Sequence, residues 1–381
     1  MAIKKKICIV ATVPYALRVF MLEHIRELSR DHEVTLMANA ENHQMDGLFN
    51  EHVRFIRLPI ERKPSVFSDV RTLWLLYRIF AREKFDCVFS IMPKAGLLAM
   101  VAGFMARVPH RFHMFTGQVW FTNGGVVRWG LKKLDNVLAL CATHVMADSP
   151  SQRQFLIEEG VVTPRKITVF GKGSISGVDV QRFRPNPVVR EKYRKELGIN
   201  DHAVVFLFMA RLTRVKGALD VTRAFCRVAA EMPDAHLLVI GPEDEEGIES
   251  ELTVIMSDFT DRYHRVGFTY DPEGYMAAAD VFCIPSYREG FSSATIQAAG
   301  VGLPAIASRI YGLSDAVEEG GSGLFHAPGA LEEIGAAMKT LYTDKDMRAR
   351  LSARANERAH GDFSQSLIVH EFASFIRAAL H

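Results

Sequence analysis

Cysteine is scarce in this chain of 381 residues, and what there is forms no pattern. Cys8, Cys87, Cys141, Cys226 and Cys283 are odd in number, lack Cys-x-x-Cys spacing and sit singly in apolar segments. That excludes a disulfide framework and a zinc knuckle, and the thiols read as small core residues in a reducing compartment. An excess of one charge is also missing. The 46 Lys and Arg against 44 Asp and Glu leave +2, too little for nucleic acid as the main partner, and no nucleic-acid-binding module is present. The longest helical apolar stretch, AGLLAMVAGFMA, falls short of the about 20 residues that span a bilayer. The opening MAIKKKICIVATVPY has a basic lead, but Pro14 cuts its apolar run, so it reads as a first strand and not a signal peptide. The expected location is cytoplasmic. No repeat or low-complexity tract stands out. A Gly-x-Gly-x-x-Gly turn behind a strand is wanting too, since GKGSISG has its glycines at other spacings; this argues against a Rossmann-type oxidoreductase.

What the chain does have is alternation. Short apolar runs bounded by turn residues, from KICIVA through DCVFSIM, AVVFLFMAR and VFCIP to GLFHA, alternate with amphipathic helical stretches. That pattern predicts parallel sheets covered on both faces. Thirteen such runs are too many for one comfortable sheet, and prolines and charges interrupt them around GVDVQRFRPNPVVREKY. The expected fold class is α/β: two Rossmann-like domains, residues 1–178 and 179–362, with a helix in 363–381 packing back on the first. Ligands of open α/β sheets bind beyond the carboxyl ends of the strands, so the active site is expected in the cleft between the domains.

Two segments carry chemistry. In FMARLTRVKGALDVTRAF a strand ends at Ala210, and Arg211 and Lys216 flank a loop leading into a helix that begins near Gly217. Two cations beside a helix N-terminus suit a diphosphate, Arg as a bidentate donor and Lys as a point charge; the plainer reading is a solvated basic pair. In PSYREGFSSATIQAAG, Glu289, Gly290, Phe291, Ser292 and Ser293 stand between a strand and a helix. A carboxylate there can accept hydrogen bonds from sugar hydroxyls while amides and hydroxyls cover other polar groups. The plainer reading is that Glu289 and the serines only cap that helix.

With GKGSISGVDVQRF and SGLFHA, these segments stand in the order and spacing of the family 4 glycosyltransferases, which the chain resembles over nearly its whole length. The resemblance implies the GT-B fold, transfer with retention at the anomeric carbon and no metal. PKAGLLAMVAG followed by FTGQVW resembles the bacterial surface-polysaccharide branch, whose members extend lipid-linked or related saccharides. It further implies that the second domain binds the donor, with Arg211 and Lys216 holding its diphosphate. Glu289 matches the first glutamate of the family's paired-glutamate motif and contacts the donor sugar; Gly290, Phe291, Ser292 and Ser293 line the sugar and phosphate. The second glutamate, usually on the ribose, is Gln297 here, which still accepts one hydrogen bond and can also donate.

The first domain, taken as the acceptor side, departs further. A loop that is often Gly-rich in the family is ATVPYALRVF, shaped by Pro14 and Tyr15. Where two histidines often precede a glycine, HMFTGQVW offers His113 and then Thr116; His113 is the catalytic-side candidate, and the plainer reading is a satisfied core histidine. Lys94 opposes the dipole at a helix N-terminus and is assigned to an acceptor diphosphate, a solvated lysine being the plainer reading. VRTLWLLYRIFAREKF and VWFTNGGVVRWGLKKL, the latter with Trp120, Phe121, Trp129, Arg128, Lys132 and Lys133, suggest peripheral contact with a membrane. The resemblance thus implies transfer of a hexose or N-acetylhexosamine from a nucleotide-diphosphate sugar, with UDP preferred, to a saccharide carried on polyprenyl diphosphate, in surface-polysaccharide synthesis at the cytoplasmic face of the inner membrane. No cofactor is implied. The Asp-x-Asp metal motif of the other major glycosyltransferase fold is matched only by Asp344-Lys345-Asp346, in a helical stretch. The alternative is an idle nucleotide-sugar binding protein, favoured by Gln297 and Thr116.

Overall fold

The computed structural model describes residues 4–39, 53–61 and 65–380. The chain divides into two compact units, Met1–Gly177 with Ser366–His381, and Val178–Gln365. Residues 1–3 of the basic lead and His381 of the expected last helix lie outside the described residues.

In the first unit seven strands, β1 (Lys6–Val10), β2 (Glu33–Ala38), β3 (Val53–Arg57), β4 (Cys87–Ile91), β5 (His110–Phe115), β6 (His144–Ala147) and β7 (Ile167–Thr168), form a sheet of order β3-β2-β1-β4-β5-β6-β7. All its pairings are parallel. Period-two alternation assigns each strand to two cores at once. Cys8 and Val10 pack with helices α3 (Val66–Glu83), α4 (Pro93–Met105) and α5 (Gly125–Cys141). Ile7 and Ile9 pack on the other face with α1 (Pro14–Phe20) and α2 (Leu22–Leu28). A further helix, α6 (Pro150–Glu158), follows β6, and Ser149 caps it by accepting from the amide of Gln152.

The second unit holds β8 (Val204–Met209), β9 (Ala235–Ile240), β10 (Tyr263–Val266), β11 (Val281–Ile284), β12 (Ala305–Ser308) and β13 (Gly323–His326), in order β10-β9-β8-β11-β12-β13 and all parallel. Its helices are α7 (Pro187–Leu197), α8 (Ala218–Val228), α9 (Ile248–Ile255), α10 (Pro272–Ala278), α11 (Ser293–Val301), α12 (Leu313–Ala316), α13 (Leu331–Thr343) and α14 (Lys345–Gly361). The thirteen apolar runs of the sequence are these thirteen strands, although KITVFG contributes only the two residues of β7.

The last helix, α15 (Gln365–Leu380), packs on the first unit. Phe372 is buried with its ring centroid 5.0 Å from Phe89 and 4.5 Å from His24. Arg377 anchors the outer side to Glu27 at 2.9 Å and to Asp31.

Both sheets reverse their order once, between β1 and β4 and between β8 and β11. At such a point the connections leave to opposite faces, so the loops beyond the carboxyl ends part and leave a crevice.

Candidate functional site

In the second unit the two chemistry-bearing segments meet at the reversal. Lys216 lies in the loop after β8, Glu289 in the loop after β11, and the strands are neighbours, with Phe208 opposite Cys283. The amide of Tyr287 donates to the carbonyl of Val215 at 2.8 Å, tying loop to loop. Gly217 permits this closeness: its φ is +76°, and a Cβ there would fall 2.3 Å from the carbonyl oxygen of Pro285. Only glycine takes both the left-handed backbone and that approach without strain. On the far side Gly312, with φ +82°, brings the loop after β12 against the carbonyl of Gly290 in the same way.

The side chains then pair. Lys216 Nζ stands 2.6 Å from Glu289 Oε1, with the two side chains only 21% and 11% exposed. Ser286 Oγ donates to the same oxygen at 2.9 Å. Arg211, nearer the end of β8, forms an ion pair with Asp244 in the loop after β9. Both cations expected to hold a diphosphate are therefore matched by carboxylates of their own unit. An arriving anion has to exchange with those carboxylates or share the cations with them. Arg288, half-buried beside Glu289 and Arg211, has its guanidinium pKa lowered, first by burial.

The remaining residues expected on the donor side lie in the loop before α11 and on its first turns. Ser292 is buried and caps the helix, its Oγ accepting from the amide of Thr295 at 3.3 Å; the plainer reading of that serine is realised. Phe291 is buried with its ring 5.4 Å from Phe363, so it anchors the loop through its side chain and offers only its backbone. Gly290 is buried, while Ser293 and Gln297 are half-buried, four residues apart on one side of α11. The first-turn amides of α8 and α11 add positive potential at this edge.

Asp244 and Ser286 were missed in the sequence. GPEDEEG reads as the acidic start of a helix, yet Asp244 pairs Arg211 and Glu245 accepts from the amide of Arg214 at 2.9 Å. The available signal was position: an acidic loop directly after the strand next to a basic one.

In the first unit, Pro14 is the first residue of α1 directly behind β1, where proline's missing N–H costs nothing. Tyr15 beside it is exposed. Lys94 is the second residue of α4 behind β4, and its Nζ lies 2.6 Å from Asp69 Oδ1 on α3. A carboxylate thus offsets the unfavourable dipole. Pro14, Tyr15 and Lys94 share the strand-end edge of β1 and β4.

His113 does not join them. It sits within β5, 1% exposed, with Nδ1 2.9 Å from Ser90 Oγ and its ring 4.8 Å from Phe115. A Cβ on Gly96 of α4 would meet that ring at 2.3 Å. Burial takes its pKa down to about 3. The catalytic-side contact expected of His113 is corrected to a packing role, because the inward register of β5 points it into the α3–α4–α5 layer. Trp120 is corrected likewise: it is buried, and its Nε1 donates to Asp135 at 2.7 Å. Arg128 and Lys132 lie near that ring and pair with Glu159. Among the described residues no three His, Cys, Asp or Glu side chains gather as ligands for a metal ion.

Two parallel α/β units, with a terminal helix returned to the first, have the GT-B architecture. The family model "Glycosyl transferases group 1" matches residues 189–358, and "Glycosyl transferase 4-like domain" matches 17–173. The chain belongs to this family of glycosyltransferases. It is similar to the capsular polysaccharide biosynthesis glycosyltransferase CapM of Staphylococcus aureus, 28% identical over 94% of this chain and 93% of that one. It is also 28% identical to the UDP-Gal:alpha-D-GlcNAc-diphosphoundecaprenol alpha-1,3-galactosyltransferase of Escherichia coli, over 71% of this chain and 70% of that one. Among solved structures, HepE of Anabaena in complex with UDP and glucose superposes with a TM-score of 0.82 at 18% identity, covering 98% of this chain and 100% of that one. That likeness is one of fold.

Proposed function

We propose that this glycosyltransferase moves a hexose or N-acetylhexosamine from a UDP-sugar, without a metal ion and with retention, to a saccharide carried on polyprenyl diphosphate during surface-polysaccharide synthesis. The observation that carries the reading is the Lys216–Glu289 pair at the β8/β11 reversal, with Arg211 earlier in the same loop after β8. The name of the Escherichia coli relative, with its UDP-linked donor and diphosphoundecaprenol acceptor, supports the choice of nucleotide and carrier. The second unit binds the donor. Arg211 and Lys216 take up the negative charge that grows on the leaving diphosphate, the part a divalent ion plays in other transferases. Glu289 accepts hydrogen bonds from the sugar hydroxyls and fixes the ring. The acceptor hydroxyl attacks the anomeric carbon on the leaving-group face as the bond to the diphosphate breaks, and its proton passes to the departing phosphate oxygen. The first unit binds the acceptor, with Lys94 and the Pro14–Tyr15 loop at its strand-end edge.

Calorimetric titration with UDP, GDP and a panel of their sugars, in excess chelator, tests this on wild type and Lys216→Ala. UDP should bind, and the variant should lose at least about tenfold, the worth of one charge-assisted contact. No binding by any nucleotide to folded protein, or transfer that stops in chelator and returns with magnesium, would overturn the corresponding part.

A further inference from the structure

The outward faces of α3 and α5 are built wrongly for water. On α3, Phe67 is 91% exposed, and Val70 and Trp74 follow on the same side. On α5, Val126 is 83% and Trp129 63% exposed, with Leu140 further along. Both helices flank α4 in one layer over the β1–β4–β5 face. No helix among the described residues is long and apolar enough to cross a membrane.

The charges on these helices are sorted by sign. Each acid is turned to a partner within the unit: Asp69 to Lys94, Glu83 to Arg54 and Arg82, and Asp135 to the Trp120 indole. The charged side chains left on the exposed faces are basic, Arg71 and Arg78 on α3 and Lys133 on α5. Each helix repeats one device, a tryptophan with a cation four residues on. Arg78 lies 4.6 Å from the Trp74 ring and Lys133 5.9 Å from the Trp129 ring. Trp with a snorkelling cation suits the boundary between acyl chains and headgroups.

We propose that the exposed faces of α3 and α5 form a surface that seats the first unit on an anionic bilayer, with Trp74 and Trp129 entering the interface and Arg71, Arg78 and Lys133 meeting lipid phosphates. A second copy of the chain is the poorer occupant, since a self-complementary contact would set cation against cation with no acid between them. The N-termini of α3 and α5 lie at the same strand-end edge as Pro14, Tyr15 and Lys94, so an acceptor held in the bilayer is met along this face. The surface itself is inferred independently of which acceptor is used.

The test is co-sedimentation of the full chain with vesicles of phosphatidylcholine alone or with phosphatidylglycerol added, neither containing an acceptor lipid. Wild type should pellet with the anionic vesicles, stay in solution with the neutral ones, and be released by salt. The pair Trp74→Ser/Trp129→Ser and the pair Arg78→Glu/Lys133→Glu should each lower anionic-vesicle partitioning by at least about tenfold, with thermal unfolding and UDP affinity unchanged. Wild type remaining in solution with anionic vesicles overturns the proposal, as does undiminished pelleting of the variants. So does a vesicle-free dimer that these substitutions dissolve, which would assign the face to a second copy. Failure here leaves nucleotide binding untouched and so is separable from failure of the proposed reaction.

Discussion

Replacing Glu289 by Gln should make the protein a better binder of UDP and a worse transferase. Lys216 Nζ and Glu289 Oε1 are 2.6 Å apart and mostly shielded from water. At an effective dielectric near 20 their gross attraction is on the order of 5 kcal/mol. Desolvation and side-chain ordering leave about 1–2 kcal/mol net. A diphosphate that recruits Lys216 works against that net attraction. Glutamine keeps the shape, and its amide oxygen can still accept from Ser286, which donates to Glu289 at 2.9 Å in the wild type. It surrenders only the charge. UDP should then bind about tenfold more tightly, the equivalent of about 1.4 kcal/mol, while the free protein loses stability because a shielded ammonium has lost its counterion. Transfer should fall by about a hundredfold or more, because a neutral amide accepts the sugar hydroxyls weakly where a carboxylate accepts strongly. Calorimetry with UDP, a transfer assay and a melting curve on one preparation measure all three. UDP affinity that is unchanged, or falls as it does for Lys216→Ala, would refute the competition: Glu289 would then support the phosphate site and not occupy it.

Gly217→Ala should cost about 2 kcal/mol or more in denaturant unfolding, from a left-handed backbone and a Cβ 2.3 Å from the Pro285 carbonyl oxygen; a loss under about 0.5 kcal/mol would mean that the two loops are not locked together. For His113, held neutral in the fold with a pKa of about 3 against 6.5 for the free group, the unfolded chain takes up a proton below pH 6.5 that the folded chain refuses. Its contribution is therefore full above pH 6.5 and declines toward pH 3, by up to about 1.4 kcal/mol per pH unit. His113→Gln should flatten the dependence of unfolding free energy on pH in the acid range by up to one proton, with turnover of the folded protein retained; an unaltered slope, or abolished turnover, would contradict the buried-neutral assignment. Gln297→Glu should tighten UDP binding about tenfold, if a charged acceptor meets the ribose hydroxyls from the half-buried position on α11; equal affinities would remove Gln297 from the nucleotide site.

Much of this protein was legible before any coordinates. Strands buried on both faces must be apolar at every position, so the runs around Ile7–Val10 and Val204–Phe208 declare themselves by composition alone. Turn residues mark their ends, and Arg211, Lys216 and Glu289 stand out because charge directly behind a buried strand lies where these sheets bind ligands. The terminal helix was legible for a similar reason, its apolar stripe needing a cover that Phe89 and His24 supply. Pairing was not legible. Seventy-three residues separate Lys216 from Glu289, and only the parallel registry of β8 with β11 decides that they share one ion pair. Direction was hidden too. A histidine at position 113 and tryptophans at 120 and 129 look alike in a string of letters, but the pleat of β5 turns His113 inward, and the buried Asp135 accepts from Trp120 and holds it in the core. Trp129 is left on the outer face of α5. Sequence composition determines which segments must be hidden from water, because transfer free energy depends on the residue itself. Which charge answers which, and which of two like side chains meets the solvent, depends on distances between residues remote in the chain, and those exist only once the sheets are assembled.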